Sequence, residues 1–151
     1  MELGDTIPDV VLTDETGDVR LRSLVGGWAA VYFYPKDDTS GCTREAQEFT
    51  ALARDFEAAG VQVVGVSKDS VASHGKFTAK HSLGVRLLSD ESGATCEAFG
   101  VWVEKSMYGR NYMGVERATF LFNAQGSLVE QWRKVKVPGH AQAVLRAAKT
   151  K

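Results

Sequence analysis

The stretch Trp28–Thr43, WAAVYFYPKDDTSGCT, decides the fold. Residues 28–34 form an unbroken apolar and aromatic run, the pattern of a strand buried on both faces. Beyond it, Ala46, Phe49, Leu52, Ala53, Phe56 and Ala59 recur at helical spacing with charges between them. That spacing predicts a helix over residues 43–59, ended by Gly60. Cys42, one of only two cysteines in the chain, stands where the strand hands over to the helix.

Outward from this unit the alternation continues. Upstream, residues 10–12 and 19–21 read as short strands around the turn DETGD. Downstream, VQVVGVS (Val61–Ser67) reads as a second central strand. Residues 70–81 read as a helix with Ser70 as its N-cap. VRLLSD (Val85–Asp90) reads as a third strand, followed by a short helix from Ser92 to Phe99. ATFLFN and SLVEQWRKV flank Ala124-Gln125-Gly126 as a β-hairpin, and a last helix follows Pro138. Strands alternating with helices imply an α/β fold with parallel strands in the middle. The closing hairpin makes the sheet mixed, and helices on both faces give a thioredoxin-like layout with an N-terminal β-hairpin. In open α/β sheets the reactive site lies at the carboxyl ends of the strands, where Cys42 falls.

The chain has 151 residues, a length that suits a single domain over 1–151. Its 44% hydrophobic and 25% charged residues are ordinary for a globular protein, and no Gly/Ser/Pro-rich linker divides it. A net charge of −1 argues against nucleic acid and anionic membrane surfaces as partners. The densest basic cluster, RKVKV (Arg133–Val137), alternates with valine like a strand edge. No apolar run has the length of a membrane span. MELGDTIPDVVLTD lacks the basic segment and apolar core of a secretory signal. Two cysteines without such a signal point to a reducing compartment, the cytoplasm.

A helix N-terminus presents N–H groups that have no partner within the helix, and these favour an anion. A thiol placed there ionises more easily. Ionising a thiol largely at neutral pH takes roughly 3.4 kcal/mol, and one helix terminus supplies at most about 2 kcal/mol. A cation must supply the remainder. Lys36 and Arg44 are close in sequence but point to solvent, and Asp37 and Asp38 would oppose ionisation if turned inward. The cation therefore comes from elsewhere in the fold.

YPKDDTSGCT resembles the active-site loop of the peroxiredoxins: proline, three residues, Thr or Ser, two residues, cysteine. Pro35, Thr39 and Cys42 fill those places. GDTIPDVVLTDETG is similar to the N-terminal hairpin of the bacterioferritin comigratory protein (PrxQ) subfamily. YGRNYMGVERATFLFNAQGSL is similar to its second half, and WRKVKVPGH to its tail. The resemblance runs over nearly the whole chain. It implies that the Cys42 thiolate attacks the peroxide O–O bond and becomes sulfenic acid. It implies that Thr39 hydrogen-bonds the peroxide and that Pro35 shields the sulfur. Arg117, in GVERATF, matches the active-site arginine and would be the missing cation, stabilising thiolate and peroxide oxygens. Ser40 departs from the subfamily, where many members carry proline, and could act as an N-cap.

Many members place a resolving cysteine five residues after the first, where this chain has Gln47. The remaining cysteine, Cys96, is either a small core residue or a resolving partner brought to Cys42 by local unfolding; a disulfide needs Cα atoms within about 7 Å. The expectation is a one-cysteine cycle with an external thiol: thioredoxin, a glutaredoxin-like protein or a small thiol. The substrates implied are hydrogen peroxide and organic hydroperoxides, with no metal, haem or flavin, in a monomer or weak homodimer. The rivals are a Cys42–Cys96 disulfide cycle, a thiol–disulfide oxidoreductase and a non-catalytic holdase. The oxidoreductase normally uses Cys-x-x-Cys, but Thr39 and Glu45 stand three residues either side of Cys42. His74, His81 and His140 have no metal-ligand spacing and read as surface or partly buried. None lies in a segment carried to Cys42, which leaves a Cys–His hydrolase without its base. Met107, Tyr108, Tyr112 and Met113 read as a loop before Arg117, either a pocket wall or ordinary packing.

Overall fold

The computed structural model describes all 151 residues. The strands are β1 (Val11–Asp14), β2 (Gly17–Arg20), β3 (Trp28–Phe33), β4 (Val61–Ser67), β5 (Arg86–Ser89), β6 (Trp102–Met107), β7 (Arg110–Val115), β8 (Ala118–Phe122) and β9 (Leu128–Trp132). The helices are α1 (Ser40–Ala51), α2 (Ala53–Ala58), α3 (Val71–His81), α4 (Ala94–Ala98) and α5 (His140–Thr150). Seven strands form one sheet in the order β2-β1-β5-β4-β3-β8-β9. β5, β4 and β3 are parallel, and β1, β8 and β9 join antiparallel, so the sheet is mixed as the alternation predicts.

β3 divides the core. Ala29, Val31 and Phe33 point into one apolar layer, Ala30 and Tyr32 into the other, the period-two alternation of a strand covered on both faces. The first layer is closed by Leu21 and Leu24, by Phe99 and Cys96 of α4, and by Val101 and Val115. The second is closed by Phe49 of α1, Phe56 of α2, Phe77 of α3 and Val144 of α5. Gly65 of β4 is required here: a Cβ there would lie 2.6 Å from Cζ of Tyr32, whose ring stacks on Phe49 at 4.6 Å.

The chain departs from the sequence expectation in three places. The helix expected over 43–59 starts at Ser40 and breaks at Leu52 (φ −100°, ψ 8°). Thr50 bonds back to the Ala46 carbonyl at 2.7 Å and accepts from the Gly84 N–H at 3.0 Å, a pattern that bends helices. Met107, Tyr108, Tyr112 and Met113, expected in a loop before Arg117, lie on a β6–β7 hairpin outside the main sheet, turned at Tyr108 (φ 52°) and Gly109 (φ 76°). All four are exposed on it; the first three line a surface pocket with Arg110 and Asn111, which Cys42 does not line. RKVKV is not a strand edge: β9 stops at Trp132, and Arg133 turns to Glu116 at 2.7 Å.

Candidate active site

The pairing of β3 with β8 places the site. Phe33, the last residue of β3, is opposite Ala118, the first of β8. The chain leaving β3 toward α1 therefore passes Arg117, although 75 positions separate Arg117 from Cys42. Cys42 lies in the first turn of α1 and is 2% exposed. Nη2 of Arg117 donates to its Sγ at 3.3 Å, and Nη1 donates to Glu45 Oε1 at 2.7 Å. One planar fork thus holds the thiol and a carboxylate together, a geometry lysine cannot reproduce. Gly41 permits the approach: a Cβ there would stand 3.3 Å from Nη2.

No side chain caps α1. Thr39, not Ser40, occupies the N-cap position, and Ser40 is the first helical residue. The Thr39 hydroxyl donates to the Lys36 carbonyl at 2.9 Å instead of accepting from the helix. The N–H groups of the first turn are thus left for an anion. Pro35 is half-buried between them and the end of β3, while Lys36 and Arg44 are exposed, as expected.

Glu45 escaped the sequence reading except as the residue that excludes Cys-x-x-Cys. It is 1% exposed, and its second oxygen has no hydrogen-bond partner. Burial pushes its carboxyl up to about 7 against the pull of Arg117. Burial opposes the Arg117 charge as well, but Glu45 and Cys42 outweigh it and hold the guanidinium above its ordinary value. The signal was present: a carboxylate one turn after Cys42 shares its helix face. The Tyr32 hydroxyl is also buried without a partner. Burial first, then the charges of Glu45 and Cys42, hold it well above the usual tyrosine range.

Two histidines, expected at the surface or partly buried, are almost wholly buried. His74 is buried, with Nδ1 2.7 Å from Asp37 Oδ2. His140 is buried, with Nε2 2.7 Å from Thr119 Oγ1. Burial, then the Arg117 charge, holds His140 down at about 4. Neither makes a hydrogen bond to Cys42. Asp37 does turn inward, but toward Tyr34, Ser73 and His74, not toward the thiol.

Cys96 lies in α4, within the apolar layer on the far side of the sheet from Cys42. Its N–H donates to Asp90 Oδ2 at 2.8 Å. Burial, with the Asp90 carboxylate beside it, pushes its thiol well above the ordinary range. The two cysteines are free.

The AhpC/TSA family profile matches residues 3–131. The chain belongs to the AhpC/TSA family, the peroxiredoxins. A peroxiredoxin Bcp of Xanthomonas campestris is 52% identical over 129 residues, spanning 85% of this chain and 81% of the relative. A peroxiredoxin Bcp of Bacillus subtilis is 43% identical over 150 residues, spanning 99% and 96%. Among solved structures, the bacterioferritin comigratory protein of Xanthomonas campestris, studied for its alkyl peroxide reduction activity, superposes with a TM-score of 0.91 at 47% identity, covering 99% of this chain and 96% of that one. The mixed sheet and its helices are thus the thioredoxin-like fold of the peroxiredoxins, enzymes that reduce peroxides at the expense of thiols. No helix of this peroxiredoxin is long and apolar enough to cross a membrane.

Proposed function

We propose that this peroxiredoxin reduces hydrogen peroxide and organic hydroperoxides by a one-cysteine cycle at Cys42. The observation that carries the reading is the placement of the two cysteines on opposite faces of the sheet: both lie in a helix first turn, but only Cys42 touches a guanidinium and has an uncapped helix start, while the first-turn N–H groups at Cys96 are taken by Asp90. The Cys42 thiolate attacks one peroxide oxygen. An S–O bond forms and the O–O bond breaks. The leaving oxygen takes the proton carried by the attacked oxygen and departs as water or alcohol. Sulfur is oxidised to the sulfenic level and the peroxide is reduced. The Arg117 Nη2 stabilises the thiolate first and the charge that moves onto the oxygens next. Thr39, whose proton goes to the Lys36 carbonyl, keeps lone pairs that accept from the peroxide O–H. Pro35 keeps water from the sulfur.

An external thiol, from thioredoxin, a glutaredoxin-like protein or a small molecule, then attacks the sulfenic sulfur and releases water. A second thiol breaks the mixed disulfide and regenerates Cys42. Such a cycle suits the cytoplasm, where thiols are kept reduced. No metal, haem or flavin takes part, and the unit acts as a monomer or weak homodimer. The test is intact mass after one equivalent of hydrogen peroxide, with Cys42→Ser as control. The expected product gains a single trappable oxygen, absent in the control. Loss of two hydrogens instead would mean that Cys96 reaches Cys42, and an unchanged mass would remove the peroxidase reading.

A further inference from the structure

The loop between β3 and α1 carries two aspartates, and both reach α3. Asp38, with φ 59°, meets Lys80 at 2.7 Å and His81 at 2.8 Å on the exposed surface, where ion pairs contribute little. Asp37 is 7% exposed. Its Oδ1 accepts from the Tyr34 hydroxyl at 2.6 Å, and its Oδ2 accepts from the Ser73 hydroxyl at 2.8 Å and faces His74 Nδ1 at 2.7 Å. The other ring nitrogen of His74 faces the Leu88 carbonyl at 3.2 Å. Carboxylate and carbonyl only accept, and a neutral imidazole donates from one nitrogen alone. The carboxylate is the stronger acceptor of the two, so the ring donates from Nδ1 to Asp37 Oδ2. Burial opposes the charge on Asp37, but the hydrogen bonds from His74, Tyr34 and Ser73 outweigh it and hold the carboxyl below its ordinary range.

A buried pair of this kind adds little net stability. This one fixes a peptide group. The Asp37 N–H donates to Asp69 Oδ2 at 2.9 Å, and that oxygen also accepts from Ser67 at 2.7 Å. The carbonyl of the same Lys36–Asp37 peptide is the acceptor of the Thr39 hydroxyl. Side chain, N–H and carbonyl of this unit are therefore tied in series from α3 to Thr39. We propose that the buried Asp37–His74 pair is a positioning device for peroxide capture: it pins the Lys36–Asp37 peptide and so aims the Thr39 hydroxyl at the peroxide. This inference rests on the peroxidase reading of Cys42.

A double-mutant cycle tests it, with the rate of the reduced protein with hydrogen peroxide as readout and iodoacetamide alkylation of Cys42 alongside. Asp37→Asn is expected to slow the peroxide reaction about 10- to 100-fold, the scale of a misplaced contact, with alkylation changed less than about 3-fold. Thr39→Val alone slows it similarly, and the double variant is no slower than Thr39→Val, because the pair acts through that hydroxyl. Additive losses, a parallel fall in alkylation, or a peroxide rate within about 2-fold in Asp37→Asn would each overturn the proposal. Failure of the unaltered protein to reduce peroxide would overturn the underlying peroxidase reading, and it is distinguishable because it is read on the unaltered protein, before either variant is compared with it.

Discussion

Cys42 and Cys96 lie on opposite sides of one sheet, each as the third residue of its helix. Both are buried, at 2% and 0% exposure, so burial does not distinguish them. What differs is the chemistry within reach of sulfur. Cys42 stands at the uncapped start of a twelve-residue helix and touches a guanidinium. Cys96 stands among Phe33, Phe99 and Val101, with a carboxylate near and burial opposing its ionisation. On the proposed cycle the guanidinium and the open N–H donors serve the reacting sulfur, while burial holds the Cys96 thiol neutral.

The sharpest way to break that contrast is to remove each sulfur in turn. Cys42→Ser is expected to lower the peroxide rate by at least about 1000-fold, because the oxygen nucleophile has no adjacent base to activate it. Cys96→Ser should leave the first peroxide reaction within about 2-fold, as a change beyond the sheet with no shared partner. Stopped-flow rates on the two variants decide the point, and a slow first reaction in Cys96→Ser would dissolve the contrast.

Arg117→Lys comes next in size. Lysine keeps the charge but offers a single ammonium nitrogen in place of the two fork nitrogens that serve Cys42 and Glu45 separately. Loss of a preorganised donor costs about 100- to 1000-fold, so a fall near the lower figure is expected for lysine and a larger one for Arg117→Ala. An unaffected rate in Arg117→Lys would mean that charge alone, not the fork, prepares the thiol.

The strand over 28–34 was legible because a doubly covered strand leaves an unbroken apolar run, and the meeting of Cys42 with Arg117 was legible because their residue types follow a family pattern. What lay hidden was long-range or locally ordinary. Asp37 and His74 are 37 positions apart, and no local period marks two polar residues that meet in a core. Glu45 looked like one more charge on a helix until Arg117 arrived from β8. The β6–β7 hairpin packs only its base, through Trp102 and Val115, into the core, so its alternation carries little hydrophobic contrast. The break at Leu52 depends on Thr50 meeting Gly84, a contact no helical wheel contains.

Within the Cys42 layer, two buried groups respond to acid with opposite signs. On the Cys42 side, Glu45 lies at about 7 in the fold against an ordinary 4.5. Its proton is held by the folded chain and released by the unfolded one between those values. Its contribution is therefore full below about 4.5 and is lost as pH rises through 7. His140, in the same layer, has the opposite sign: about 4 in the fold against 6.5. The unfolded chain takes a proton that the folded one refuses, so its contribution is full above 6.5 and is lost as pH falls toward 4. Each effect is on the order of 3 kcal/mol, and between about 4.5 and 6.5 they oppose one another. Urea midpoints measured across this range should be steeper in Glu45→Gln, with stability falling faster on acidification. A Glu45→Gln profile parallel to that of the unaltered protein would show that the carboxylate does not titrate there.

The smallest expected effect concerns Cys96 as a packing residue. Cys96 is fully buried in the apolar layer that also holds Phe99 and Val101, so Cys96→Ala leaves a small cavity and costs about 1 kcal/mol, read as a lower urea midpoint with unchanged slope. Turnover with an external thiol should persist, because a one-cysteine cycle never calls on this side of the sheet. If Cys96→Ala blocked recycling while the first peroxide reaction stayed intact, one segment would have to cross from one layer to the other during turnover. The separation of the two cysteines by the sheet would then describe only the reduced, fully folded state.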